Sequence, residues 1–471
     1  MAKRAWTIKG RLLVRTEFPE VAKALGEDLP LAGVRVKVSA KEIGADPTWD
    51  EWGEDITDAN GNFCINKDKD KSKRRFQVRV LFKDQDFLKI YPANDGPISK
   101  LINTTAHLMP GGAVLQVSTG LDPAVLEEFL GAASRLTYDV DWITVHEDKD
   151  KDHEKGPGVV DLHDLVFKSG AGAERSGLDQ RRHADLWCLA RILRDKLAGM
   201  GPGLGYIEKK PLAIKYPHKS PLIADGSETA YADPANDVVF LVRNSVRDNF
   251  DLETVSHELL HLWAYQHSSG ELGLAWQLFI HGTTHVGRQK KTWTAFHEAF
   301  AAVAQAELRR QLFNEGATIG GVEAKRRPFT RGYLKSQGVN FLAEMEHFEI
   351  GWISLFNLLL CRQVCELDMN GADTYAVTSV TRNPLCVAPR ISFADLLGVF
   401  LPQAPIEFHT ELRTDQMTFS TFLNRLSAAM PDRFTSRHRD AYLAIIDPNG
   451  TAQPADLLKR ELVPSIVGVR L

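Results

Sequence analysis

Apolar and polar positions alternate with a period of two over much of residues 1–110, which is the pattern of half-buried β-strands. Leu31–Val38 is the clearest case, because its valines fall on one face while Arg35 and Lys37 fall on the other. A turn rich in Asp, Asn and Gly lies at Thr57–Phe63. We expect strands at Thr7–Val14, Leu31–Val38, Phe63–Ile65 and Phe76–Phe82. Short alternating strands between turns predict a small antiparallel β-sandwich over residues 1–110.

The pattern changes after residue 110. Residues 111–235 form a mixed linker and lead-in, with a charged tract at Asp148–Lys155 and helical spacing at His183–Leu197. Helical periodicity dominates beyond Glu298, and we expect helices at Trp293–Phe313, Phe341–Cys365, Ala394–Leu401 and Thr418–Met430. Residues 236–390 are therefore predicted to form an α-rich α+β domain, and residues 391–471 a helical C-terminal extension.

The composition is that of an ordinary globular chain. Its 471 residues suggest two or three domains, and 44% hydrophobic with 25% charged residues argues against overall disorder. The net charge of −4 gives no reason to expect nucleic acid as a partner. Five scattered cysteines imply no disulfide framework. Cys361 and Cys365 lie four apart on a predicted helix, and we interpret them as buried thiols because no second pair follows.

The N-terminal segment carries early positive charges but no apolar core and no cleavage site of a secretory signal. No run of 18 uncharged apolar residues occurs, so we expect no membrane span. The chain is therefore expected to be cytoplasmic as synthesised. If it acts elsewhere, we expect it to be secreted by a leaderless route.

The five residues from His257 to His261 contain the clearest candidates for metal binding and catalysis. Two histidines four apart on a helix lie about 40° apart around its axis, one turn above each other, so both can reach one metal ion. Glu258 then faces a metal-bound water, whose pKa zinc lowers to about 7. Asp251 or Ser256 is expected to start this helix. We expect a Zn²⁺ site held by both histidines, with Glu258 as general base.

A catalytic zinc site needs a third protein ligand, and two residues compete for that position. His267 has metzincin spacing, but Ala264 stands where metzincins carry the glycine that ends the helix. If the helix continues, His267 points about 240° away from His261. Glu298 lies in the apolar helical stretch around Phe296 and Phe300, where a buried carboxylate needs a partner. We favour Glu298 as the third ligand.

Other residues near the motif have less specific signals. His297 is a near-miss for the ligand position, and His281 and His285 are interpreted as cleft-lining or incidental. A site of this kind also needs a group that stabilises the oxyanion, and Tyr333 and His347 are candidates for that catalytic role. These two assignments rest on distance along the chain alone.

The short apolar segment Asp237–Val242 lies upstream of the motif. Two hypotheses are open for it. It forms the edge of a cleft, along which an extended peptide pairs by β-augmentation, or it is an ordinary core strand.

Two resemblances follow from these residues. The motif together with "HEAFA" (297–301) resembles gluzincin-type zinc metallopeptidases, whose "E-x-F-A" helix supplies a glutamate ligand. The segments "PLAGVRVKV" (30–38) and "ITDANGNF" (56–63) resemble transthyretin-like, or carboxypeptidase-regulatory-like, domains. The resemblances imply a transthyretin-like β-sandwich followed by a zincin-like metallopeptidase that hydrolyses peptide bonds.

This domain order also resembles bacterial metallopeptidase effectors, including those attached to type VI secretion spikes. That resemblance implies a toxin that acts on protein or peptide substrate, with a secretion apparatus and a cognate immunity protein as partners. Two alternatives remain: a non-catalytic adaptor or docking protein with a structural or degenerate zinc site, and a zinc amidase that cleaves cell-wall peptide.

Overall fold

The protein is a mixed α+β chain with several sheets, antiparallel or mixed, and seven helices among the residues that the structure describes. A computed structural model describes residues 4–42, 48–69, 73–84, 86–91, 142–148, 155, 157–168, 175–207, 212–218, 230–233, 237–243, 247–268, 292–313, 346–347, 349–360, 364–369, 375–381, 391–399, 417–434 and 439.

All four strands predicted in the N-terminal region are present, because each alternating run can bury one face. The elements up to residue 91 are β1 (Arg4–Arg15), α1 (Pro19–Leu25), β2 (Asp28–Pro30), β3 (Arg35–Glu42), β4 (Asp50–Ile56), β5 (Asn62–Lys69), β6 (Arg74–Leu81) and β7 (Leu88–Tyr91). The predicted turn lies between β4 and β5. In it Asp58 accepts the backbone N–H groups of Asn60 and Asn62, both at 2.8 Å. Gly61 has a φ of +81°, and a Cβ there would lie 2.4 Å from the Leu12 carbonyl.

These strands form two sheets, which also recruit strands from beyond residue 110. The additional strands are β8 (Ile143–Glu147) and β9 (Val159–Phe167). One sheet has the order β4-β3-β6-β8 and is antiparallel throughout. In the other, β1 pairs antiparallel with β5 and β2 and parallel with β9. Trp6 on β1 contacts Trp52 and Phe76 of the first sheet at centroid distances of 5.3 and 5.6 Å, so the two sheets share an aromatic core.

A third sheet contains Asp237–Val242, the segment for which a cleft edge and a core strand were both open. Its strands are β7, β10 (Leu212–His218), β11 (Tyr231–Asp233) and β12 (Val238–Val242), in the order β11-β12-β10-β7. β12 pairs parallel with β10 on one side and antiparallel with β11 on the other. The cleft-edge hypothesis for Asp237–Val242 is therefore wrong, because both edges of this strand are already hydrogen-bonded. β12 is a core strand with Val239, Leu241 and Val242 fully buried.

The helices follow apolar periodicity as predicted, with shifted ends. They are α2 (Arg175–Ala198), α3 (Leu252–Ser268), α4 (Thr292–Phe313), α5 (Glu349–Leu359), α6 (Phe393–Gly398) and α7 (Phe419–Ala429). Phe296 of α4 packs on Trp352 and Phe356 of α5 and on Phe422 of α7, with centroids 5.0 to 5.7 Å apart. These ring contacts form the apolar core around α4.

One helix prediction was too long. Helix α5 ends at Leu359, and Cys365 lies instead in an antiparallel pair of β13 (Val364–Met369) and β14 (Tyr375–Thr381). The region beyond Glu298 is therefore not purely helical. Tyr375–Thr381 is rich in β-branched residues, which favour strands, and its pairing with Val364–Met369 satisfies backbone groups of both segments. Cys361 lies outside the described residues.

The chain divides into two units. One comprises Met1–Asp195 and Glu208–Leu259, and the other comprises Lys196–Ile207 and Leu260–Leu471. Helix α3 is continuous across the division at Leu259. The sequence-based boundaries at residues 110, 235 and 390 stay predictions. Among the helices described, none is both long enough and apolar enough to cross a membrane.

Candidate metal centre

Helix α3 begins after Asp251, which is one of the two residues predicted to start it. The carboxylate of Asp251 accepts the backbone N–H and the hydroxyl of Thr254, both at 2.7 Å, and so caps the first turn. Ser256 does not start the helix. It lies inside the helix, and its hydroxyl donates to the carbonyl of Leu252 at 2.5 Å. The cap sets the residue at which the helix begins, and the helical repeat then sets the face on which each motif residue lies.

The motif residues lie on a helix that is buried on nearly every face. His257, Glu258 and His261 are 6%, 5% and 4% exposed. The intervening Leu259 and Leu260 are fully buried. The apolar residues therefore anchor α3 on several sides, while the two imidazoles, one turn apart, stay on a single face.

Glu298 is the carboxylate that approaches this face. It lies in α4 between apolar neighbours and is 3% exposed. Its Oε2 atom is 3.2 Å from Nε2 of His261. The neighbouring Ala299 and Phe300 are fully buried, so the carboxylate leaves water together with the rest of the helix. A buried carboxylate is costly without a compensating charge or hydrogen bond, and His261 supplies part of that compensation.

The ligand atoms of His257, His261 and Glu298 all lie within 4.8 Å of one another. In a tetrahedral zinc site with bonds of about 2.1 Å, ligand atoms are about 3.4 Å apart. The 3.2 Å between His261 and Glu298 already meets that spacing. Two neutral imidazoles and one carboxylate carry a charge of −1, so a divalent cation would leave a local charge of +1. The three side chains therefore fit a metal ion in donor type, spacing and charge.

His267, the competing third ligand, has another role. Helix α3 continues through Ala264, and Nε2 of His267 bonds the carbonyl of Gly205 at 2.8 Å. Trp263 donates to the carbonyl of Leu204 at 2.8 Å, and the side chain of Gln266 accepts the N–H of Ile207 at 2.9 Å. These bonds attach the end of α3 to residues 204–207. Burial lowers the pKa of His267.

His297 adjoins the centre without joining the three-residue group. Its side chain is fully buried, and burial together with the nearby His261 lowers its pKa to about 3, against the opposing effect of Glu298. It is therefore neutral in the folded chain. Its ring lies 5.2 Å from that of Tyr265. Tyr265 belongs to no motif in the sequence, although its position four residues after His261 on a helix was a usable signal.

Of the remaining predicted residues, His347 lies in the described part of the chain and three do not. Tyr333, His281 and His285 lie outside the described residues. His347 is half-buried in the turn at residues 346–347, just before α5. The oxyanion role of Tyr333 or His347 stays a prediction. Glu253, in the first turn of α3, is half-buried one turn before His257.

Comparisons with known proteins add little to this geometry. No protein-family model and no curated protein sequence matches the chain. Among solved structures, a 9R-lipoxygenase from Cyanothece PCC8801 is similar over 42% of this chain and 25% of its own, at 13% identity and a TM-score of 0.17. The chain thus spans about a quarter of that lipoxygenase's length. So low a TM-score carries no argument about fold or function.

Proposed function

We propose that this protein is a zinc-dependent metallopeptidase of the gluzincin type. The observation that carries the proposal is the convergence of His257, His261 and Glu298, whose ligand atoms lie within 4.8 Å in a buried setting. The three residues come from two helices and are separated by up to 41 positions along the chain. Their meeting point therefore depends on packing of α3 and α4 as well as on the local motif.

The donor set favours a catalytic site over a structural one. Structural zinc sites are closed by four protein ligands, most of them cysteine, whereas catalytic sites use three ligands and keep one position for water. Here the ligands are two histidines and a glutamate, and Cys64 and Cys188 are not part of the group. Zinc, when bound, would supply Lewis-acid polarisation and lower the pKa of a bound water. This donor set argues against the adaptor hypothesis.

Each protein residue then has a defined task. A ring nitrogen of His257 and one of His261 would bind the cation, which requires both imidazoles in the neutral form. Glu298 supplies the negative charge that the two rings lack. Glu258, which follows His257 on α3, takes a proton from the attacking water and returns it to the leaving amine. We propose Tyr333 or His347 as the group that stabilises the oxyanion.

The N-terminal sheets support a second part of the proposal. We propose that β1–β6 form a transthyretin-like sandwich, since the quoted motifs lie in β3 and in the turn before β5, and two sheets share the core around Trp6. Such a domain would attach the enzyme to the secretion apparatus. The proposed setting is a bacterial effector toxin that is paired with an immunity protein.

The test is metal content and hydrolysis by purified protein, compared with the Glu258→Gln variant. We expect bound zinc in both proteins and a loss of about 10²- to 10⁴-fold in turnover for the variant, the usual contribution of a general base. Glu253→Gln is the matched control, because Glu253 lies on the same helix one turn earlier. Casein, a peptide library and peptidoglycan are assayed in parallel. Cleavage of peptidoglycan alone would favour the amidase, and bound zinc without turnover that depends on Glu258 would favour the adaptor.

A further inference from the structure

Tyr265 lies against one of the three ligand side chains. Its ring is nearly parallel to the imidazole of His261, with an interplanar angle of 11° and centroids 5.9 Å apart. This is an offset stack within the range in which aromatic rings attract each other. The two residues are four apart on α3, so the helix itself places one ring over the next turn.

Tyr265 also contacts the second ligand-bearing helix. Its ring lies 5.2 Å from the ring of His297, at an angle of 33°. His297 directly precedes Glu298 on α4. Tyr265 thus contacts both His261 on α3 and the residue next to Glu298 on α4, and it is 8% exposed. The same ring therefore contacts both helices that contribute to the metal centre.

This placement constrains the centre in two ways. The stack holds the plane of the His261 imidazole, and in that plane Nε2 points to Oε2 of Glu298 at 3.2 Å. The thickness of the Tyr265 ring also sets how closely α3 can approach His297, because packed interiors do not leave voids of that size. Without the ring, the imidazole could turn about its χ angles and the helices could move together.

We propose that Tyr265 is a positioning residue that fixes the orientation of the His261 imidazole and its distance from Glu298, because its ring stacks on His261 and packs against His297. This inference rests on the metal centre of the proposed function and adds a residue that binds no metal itself. Groups that orient metal ligands change metal affinity by about 10- to 100-fold when they are replaced. The ring, and not the hydroxyl, performs the positioning.

The experiment titrates metal-free protein with Co²⁺ and records affinity and the visible d–d spectrum, which reports ligand geometry. The variants are Tyr265→Leu, which removes the ring, and Tyr265→Phe, which keeps it. Trp263→Leu is the control, because Trp263 lies about 200° around the helix from His261 and packs on His267 and Phe300. Tyr265→Met, whose flexible side chain fills irregular space, replaces the leucine variant if that protein does not fold.

We expect Tyr265→Leu to weaken Co²⁺ binding by about 10- to 100-fold and to change the d–d bands. Tyr265→Phe should keep the wild-type spectrum and an affinity within about threefold. Trp263→Leu should lower the melting temperature without changing the spectrum. A Tyr265→Leu protein with wild-type affinity and spectrum overturns the inference. A Tyr265→Phe protein that loses as much Co²⁺ affinity as Tyr265→Leu also overturns it.

The outcomes separate this inference from the proposed function. If wild-type protein binds Co²⁺ through His257, His261 and Glu298 but hydrolyses nothing, the peptidase fails and the role of Tyr265 is still decided by its variants. If turnover depends on Glu258 while Tyr265→Leu behaves as wild type, only the inference fails. If wild-type protein binds no metal, both are overturned.

Discussion

The Nε2 atom of His261 lies 3.2 Å from the Oε2 atom of Glu298, and both side chains are buried. The two residues come from different helices, so their distance reports how α3 and α4 pack. It is close to the spacing of about 3.4 Å expected between ligand atoms of one tetrahedral zinc ion. A divalent cation could therefore bind both groups with little change in their separation.

This relationship predicts opposite results for the two residues that competed for the third ligand position. Glu298→Ala should lower zinc affinity by at least about 100-fold, since it removes the only carboxylate in the group. His267→Ala should keep zinc, because His267 bonds Gly205 instead. Zinc retained per chain after dialysis against a weak chelator measures both. Full zinc in Glu298→Ala together with loss in His267→Ala would reverse the ligand assignment.

Removal of the metal should lower the stability of the protein. A ligand that binds only the folded state stabilises it by about 4 kcal/mol at a free concentration 1,000 times its Kd. We therefore expect EDTA to lower the melting temperature of the wild-type protein, and added Zn²⁺ to restore it in a concentration-dependent way. Glu298→Ala should show a much smaller response to either treatment. An equal response in both proteins would mean that the metal binds elsewhere.

Local sequence patterns were sufficient to predict several strands and helices and to select the three residues whose side chains lie close together, His257, His261 and Glu298. Alternation predicted β3 and β6, and helical spacing predicted α3. Glu298 could be favoured over His267 as the third ligand for two reasons. Ala264 lets α3 continue, so His267 points away from His261, and the neighbours of Glu298 are apolar. In each case the decisive information lies within a few residues of the position concerned.

Features that depend on distant pairing could not be predicted in this way. β12 is enclosed because β10 and β11 pair with it, and neither partner can be identified from the apolar run itself. β9 joins β1 from more than 150 positions away. The contact of Tyr265 with His297 likewise depends on the packing of two helices, so only the spacing of Tyr265 from His261 was visible in the sequence.

The pKa of His267 predicts a pH dependence of stability. Burial lowers the pKa in the folded chain, so the unfolded chain binds the proton more readily. Stability contributed by neutral His267 is thus fully present above the unfolded pKa of about 6.5 and is lost as pH falls below it. His267→Gln does not titrate and keeps an N–H that can donate to Gly205. Urea unfolding of metal-free protein between pH 7.5 and 5 should show a shallower pH dependence for this variant, and parallel curves would contradict the prediction.

Asp185 on α2 predicts the opposite dependence. Burial raises its pKa to about 7, although its Oδ2 atom accepts the backbone N–H of Glu17 at 2.6 Å. The folded chain therefore binds the proton more readily than the unfolded chain, whose Asp pKa is about 3.9. Stability is lost as pH rises between these two values, by up to about 1.4 kcal/mol per pH unit.

Asp185→Asn mimics the protonated acid and keeps an oxygen that can accept the N–H of Glu17. We expect the variant to be more stable than wild type at pH 8, with the difference shrinking toward pH 5, in urea unfolding monitored by circular dichroism. Asp195→Asn is the control on the same helix, because Asp195 is an exposed carboxylate that pairs with Arg194. A destabilised Asp185→Asn protein at pH 8 would mean that the charged carboxylate, and not its neutral form, suits this buried position.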